Sequence, residues 1–206
     1  MGYQLNSCLK ADKCPNRAID YDKLMGRLES LLKQEDLYGV LKKNIKGKIK
    51  PHHKFRITLA GCPNACSQPQ IEDIGIIGAL IPEISNEKCI MCGICVEICQ
   101  EDAVKFFLGK KAPEIDYNLC MKCGKCINQC SSGTIKKREE GFRVLLGGRL
   151  GRHPQLAMEL KGIYNEDEVL KIVKKCMGLF KKNTRYGKRF AEIIHTYRQY
   201  FEKENS

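Results

Sequence analysis

The 206-residue sequence has no tryptophan, four histidines and 7% aromatic residues. Platforms for single-stranded nucleic acid need exposed aromatics on which bases stack, so a nucleic-acid partner is not expected, despite a net charge of +12. No run of 18 apolar residues occurs, which excludes a membrane-spanning helix. The N-terminus lacks the basic-then-apolar order of a secretory signal, so the chain reads as cytoplasmic, in a reducing and anaerobic setting. Without a route to an oxidising compartment, disulfides are not the expected use of cysteine.

Cysteine is what the chain has in excess: thirteen residues. Eight form two copies of C-x2-C-x2-C-x3-C, with Cys89, Cys92, Cys95 and Cys99 first and Cys120, Cys123, Cys126 and Cys130 following 31 residues later. Zinc sites favour paired knuckles rather than runs of four. In the two-cluster pattern the fourth cysteine of each run ligates the other cluster. The expected sets are therefore Cys89, Cys92, Cys95 with Cys130, and Cys120, Cys123, Cys126 with Cys99. Gln100 and Ser131 stand where proline usually follows the fourth cysteine, which affects turn stiffness rather than ligation.

Two further pairs lie outside these runs. Cys8 and Cys14 are spaced C-x5-C in an expected N-terminal loop, and Cys62 and Cys66 flank a Pro63-Asn64-Ala65 turn. Ahead of that turn, Phe55, Ile57 and Leu59 alternate with Arg56 and Thr58, a half-buried strand that Gly61 breaks. Residues 71–81, ended by Pro82, and 141–148 read as further strands. A helix is expected over Arg17–Gln34, capped by Asn16, with Leu24, Met25, Leu28, Leu31 and Leu32 on one face. Residues 42–54 read as a basic loop. Two more helices are expected over 166–181, capped by Asn165, and 184–202. Cys176, in the first of these, reads as a buried small residue. This order suits an α+β domain: a small, mostly antiparallel sheet with helices on one face, over residues 1–84 and 139–206, interrupted by a two-cluster insert over 85–138.

Four features together resemble the siroheme-dependent nitrite and sulfite reductases: Cys8-x5-Cys14, Cys62-Pro63-Asn64-Ala65-Cys66, Ile74-Gly75-Ile76-Ile77-Gly78, and Leu146-Gly147-Gly148-Arg149-Leu150-Gly151. The insert resembles a bacterial-type ferredoxin, placed as in dissimilatory and anaerobic sulfite reductase subunits. The resemblance implies that Cys8, Cys14, Cys62 and Cys66 hold a third 4Fe-4S cluster, with Cys66 shared with siroheme iron and Asn64 beside it. It implies that Lys54, Arg56, Arg149 and Arg152 pair with sulfite or siroheme carboxylates, because a buried anion needs fixed positive partners. The implied activity is six-electron reduction of sulfite to sulfide, fed by an external donor such as a ferredoxin or flavoprotein subunit. Nitrite reduction, or a haem-free electron-transfer role, is the alternative. In the family the complete enzyme has two related halves, and this chain resembles the second. A second copy in a homo-oligomer, or another chain, is therefore expected to supply the first. Three clusters of about −2 each would offset half the positive excess, and a polyanionic cofactor or an anionic substrate the rest.

Overall fold

The computed structural model of the chain describes residues 1–8 and 14–202. Five strands form one sheet in the order β1 (Tyr3–Ser7), β2 (Phe55–Ala60), β3 (Ile74–Ile84), β6 (Ile135–Leu146) and β7 (Met158–Glu159). The sheet is mixed rather than mostly antiparallel. β1 pairs parallel with β2, and β2 parallel with β3, while β3–β6 and β6–β7 are antiparallel. Parallel neighbours need a crossover of a dozen or more residues. Between β1 and β2 it contains α1 (Asp22–Gln34) and α2 (Leu37–Asn44); between β2 and β3 it is the segment from Gly61 to Asp73 that carries Cys62 and Cys66.

The period-2 pattern of β2 puts Phe55, Ile57 and Leu59 on one face as expected, but the strand is not half-buried: Thr58 and Ala60 on the other face are buried too. Phe55, Ile57 and Leu59 join Ile74, Ile76, Val144 and Leu146 in one buried core. That core is closed by Leu24, Leu28 and Leu32 of α1, by α2, by α5 (Glu166–Asn183) and by α6 (Phe190–Glu202). The opposite face has only a small cluster around Ala60, Ala65, Ile77 and Leu145. Helices thus cover one face, as the sequence suggests. Cys176 is fully buried among them. Asn165 caps α5 through a reciprocal box with Glu168, which satisfies N–H groups the first turn leaves unpaired.

Several boundaries differ from expectation. A strand not expected from the sequence, β1, precedes Cys8, and α2 takes in Lys42 and Lys43 of the expected basic loop, placing them in its last turn, where positive charge suits the helix dipole. α1 begins at Asp22, not Arg17, because Ala18 and Ile19 donate to the Gly61 carbonyl and hold the chain out of helical form. Asn16 is not its cap; the N-cap position is Tyr21. Pro82 does not end β3. It sits at a register shift between Ile81 and Pro82, and pairing resumes to Ile84, since a bulge tolerates the missing N–H. β6 starts at Ile135, so a two-stranded ribbon carries the inserted segment. That segment holds α3 (Ile94–Glu97), β4 (Val104–Lys105), β5 (Glu114–Ile115) and α4 (Lys125–Gln129). Among the described residues no helix is long and apolar enough to cross a membrane.

Candidate metal centres and the cleft between them

The two cysteine runs fold alike. Each places a residue and a glycine in left-handed backbone, Met91 and Gly93 in the first (φ 59° and 77°), Lys122 and Gly124 in the second (φ 61° and 73°). The positive φ turns each chain tightly about its thiols. Cys95 then falls on α3 and Cys126 on α4. Cys89, Cys92, Cys95 and Cys130 line one cavity together with Ile94, Phe106 and Pro113. Cys99, Cys120, Cys123 and Cys126 line another. The structure thus brings together the two crossed sets. Backbone N–H groups point at the sulfurs, among them Met91 N to Cys89 (3.4 Å), Ala103 N to Cys99 (3.3 Å) and Ile135 N to Cys130 (3.2 Å). Among the described residues no three His, Cys, Asp or Glu groups converge on a single metal-ion position; the sulfurs gather round cavities instead.

The remaining pairs meet at the ends of two parallel strands. Cys8 extends the β1 ladder, its N–H donating to Leu59 O at 3.0 Å. Cys14 opens a turn closed by Arg17 N, and the next residue, Ala18, donates to Gly61 O at 2.8 Å. Cys62 starts a second turn, closed by Ala65 N at 3.1 Å, with Ala65 in left-handed backbone. Burial is the main reason the Cys62 thiol pKa is raised, and it lies within electrostatic reach of Cys14, Cys66 and Cys8. Cys66 is exposed and accepts a hydrogen bond from Asn64 Nδ2 at 3.1 Å. The expected loop over residues 9–13 lies outside the described residues.

The cavity lined by Cys99, Cys120, Cys123 and Cys126 also reaches Asn16, Cys62, Pro63 and Asn64. One cleft therefore borders both the main-domain turn and the second set of the insert. The reason is that the insert docks on β3: Leu80 N donates to Lys122 O at 2.8 Å, and Tyr117 OH to Pro82 O at 3.1 Å. Gly124 fits there because a Cβ would stand 2.5 Å from Leu80 Cδ1.

The expected basic residues lie elsewhere. Arg56 is near the start of β2, and about 13 Å of strand separates it from Ala60, with Cys62 beyond. Its Nε is 3.0 Å from Glu72 Oε2, but not aligned for a hydrogen bond, so both atoms keep unmet capacity. Leu146 pairs with Ile74, so the Gly147–Gly151 stretch sits at that same end of the sheet. Arg149 bonds Glu192 at 3.0 Å. No ion pair to Arg152 or Lys54 is found among the described residues. Sequence reasoning missed Glu72, Asp73 and Arg189, which join Arg56 and Arg149 there. It also missed Tyr21, whose hydroxyl lies 3.1 Å from Cys8 Sγ. Burial pushes that phenol pKa up to about 12.

A relation to known proteins accounts for this arrangement. The sequence matches the family described as "Nitrite and sulphite reductase 4Fe-4S domain" over residues 3–197. It is 36% identical over 152 residues to the coenzyme F420-dependent sulfite reductase of Methanocaldococcus jannaschii, covering 74% of this chain and 24% of that protein. It is 39% identical over 54 residues to one of the subunits of the anaerobic sulfite reductase of Salmonella typhimurium, covering 26% of this chain and 16% of that protein. The crystal structure of dissimilatory sulfite reductase I shares the fold, with a TM-score of 0.62 at 17% identity over 96% of this chain and 51% of that one. The chain spans a quarter or less of these two curated relatives and about half of the solved structure. It belongs to the nitrite and sulfite reductase family, through its 4Fe-4S domain.

Proposed function

We propose that this chain is a siroheme-dependent sulfite reductase or its catalytic subunit, with three 4Fe-4S clusters. The observation that carries this reading is the convergence of Cys8 with Cys62 at the ends of β1 and β2, beside a cleft shared with the second cysteine set of the insert. A plain electron carrier needs only the insert.

The residues present fit the clusters. The eight cysteines of the insert line two cavities in two groups of four, with backbone N–H donors aimed at sulfur, and Cys62 lies within electrostatic reach of Cys8, Cys14 and Cys66. They fit a siroheme in part. Cys66 is exposed and oriented by Asn64, as a thiolate shared with a second iron would have to be. Arg152 and Lys54 have no ion pair among the described residues but lie toward the end of the sheet away from Cys66, where Arg56 and Arg149 already face Glu72 and Glu192. The rest of the pocket would come from a second copy or a partner chain. When bound, the coupled haem and cluster would supply the one-electron steps by which sulfite, or nitrite, is reduced. The insert's Cys99–Cys126 site occupies the position next to the main-domain site, and the Cys89–Cys130 site the outer one. A ferredoxin or flavoprotein subunit would meet the insert.

The commitment of Arg56 and Arg149 to carboxylates favours the alternative, an electron-transfer protein without haem. Anaerobic purification with iron analysis and a visible spectrum separates the two. The reductase reading expects about thirteen irons, from three four-iron clusters and one haem, with a siroheme band. About twelve irons and no band would leave the electron-transfer reading.

A further inference from the structure

We propose that Tyr21 is a positioning residue for the main-domain cluster: its hydroxyl donates to the Cys8 sulfur and raises that cluster's reduction potential. This rests on the reading that Cys8, Cys14, Cys62 and Cys66 hold a cluster.

The geometry singles out this side chain. Tyr21 is 2% exposed; its hydroxyl stands 3.1 Å from Cys8 Sγ and donates also to Cys8 O at 3.4 Å, so its one proton lies between two acceptors of which the sulfur is the nearer. A cysteine sulfur bound to iron has no proton, so the hydroxyl is the donor of that pair. The ring is clamped from two sides. The Arg17 guanidinium lies 4.5 Å from its centroid, and Gly61 abuts its edge so closely that a Cβ there would sit 3.1 Å from Tyr21 Cε1. Tyr21 also occupies the N-cap position of α1 without capping it. A capping residue would be Ser, Thr, Asp or Asn; a tyrosine there serves another contact.

The consequence is electrostatic. One-electron reduction adds one negative charge to a cluster and its thiolates. A hydrogen bond to a ligand sulfur stabilises the more negative form more, and such bonds are among the determinants of cluster potential. The bond is charge-assisted and buried, where screening is weak. In the insert the donors to sulfur are backbone N–H groups, Met91, Ala103 and Ile135 among them, and the Ser132 hydroxyl 3.5 Å from Cys130 Sγ; none of these touches the main-domain thiols. Tyr21 is therefore a place where one side-chain atom separates the tuning of the main-domain cluster from that of the other two.

The test compares wild-type protein with Tyr21→Phe, which keeps the ring, both purified anaerobically as the full chain. Iron is counted, and each cluster is titrated by electron paramagnetic resonance against potential. The expected result is equal iron, a lower midpoint potential for the main-domain cluster, unchanged potentials for the other two, and loss of an exchangeable-deuterium coupling at the first. A 3-fluorotyrosine at position 21, whose hydroxyl is a stronger donor, should move the potential the opposite way. Full iron with an unmoved potential in both variants overturns the inference alone. Loss of about four irons in Tyr21→Phe overturns it too, by making the hydroxyl a requirement for assembly. Wild-type protein with about eight irons would remove the main-domain cluster and with it the reading underneath.

Discussion

At the scale of single residues, the end of the sheet away from the cysteines has its own chemistry. Asp73 is buried; one carboxylate oxygen accepts from Arg56 N at 2.9 Å and the other has no partner among the described residues. Burial raises its pKa from 3.8 to about 7, against the lowering influence of Arg56 and Arg189 and with a small push upward from Glu72. Between those values the folded chain binds more protons than the unfolded one, so stability falls as pH rises through the window and the loss is complete above it. Over pH 5 to 7.5 this amounts to at most about 3 kcal/mol, at 1.36 kcal/mol for each unit of pH. Asp73→Asn should remove that slope. Urea midpoints at the two pH values, for wild type and variant, check it, and equal slopes would show that Asp73 does not titrate there. Neither Asp73 nor Tyr21 was legible in the sequence, for the same reason. Each owes its role to a neighbour brought by the fold, Arg56 in one case and Cys8 in the other, and neither sits in a spaced motif. The two groups of insert cysteines that line separate cavities were legible because their members recur at short fixed spacings along the chain.

At the scale of elements, what was legible followed local rules. Strand β2, the cap at Asn165 and the apolar stripe of α1 each depend on a few adjacent side chains. The parallel pairing of β1, β2 and β3 did not show, because direction is decided by crossovers rather than by the strands. Nor did the non-helical form of the 17–21 segment, which Gly61 holds by hydrogen bonds. That contact belongs to a stack of three layers. Gly78 of β3 lies under Gly61, and Gly61 lies under Tyr21 and Arg17. A Cβ on Gly78 would stand 2.6 Å from Gly61 O and 3.0 Å from its carbonyl carbon, backbone atoms that cannot swing aside. Gly78→Ala should therefore displace the Cys62 turn. The expected cost is about 1–3 kcal/mol, the usual range for overpacking, and on the proposed reading about four irons are lost from the main-domain set. Gly178→Ala in α5, where a Cβ would meet nothing within 4 Å, is the control. It should keep its iron and gain up to about 1 kcal/mol from helix propensity. Full iron in Gly78→Ala would mean that the turn can move without losing its thiol geometry.

At the scale of the whole molecule, charge divides as the fold does. Residues 85–134 contain six lysines and six acidic residues, so the net +12 belongs entirely to the rest of the chain. On the proposed reading, two clusters of about −2 make the insert the negative part, beside a basic domain suited to an anionic cofactor. The two parts meet through Leu80 and Lys122 at the cleft that Cys62 and Cys123 share. If the insert delivers electrons, the cluster at that junction is the one the main domain depends on. Cys123→Ser should remove or disable it, with a fall of up to about four irons. Reduction of the main-domain centre by a carrier protein should then slow more than tenfold, by stopped-flow absorbance. Dithionite, small enough to reach each centre directly, should still reduce it at close to the wild-type rate. Equal slowing with both reductants would mean that the variant has damaged the main-domain site itself. Unchanged reduction by the carrier protein would mean that donors reach the main domain without passing through the insert, and the cleft would then be a structural joint rather than an electron path.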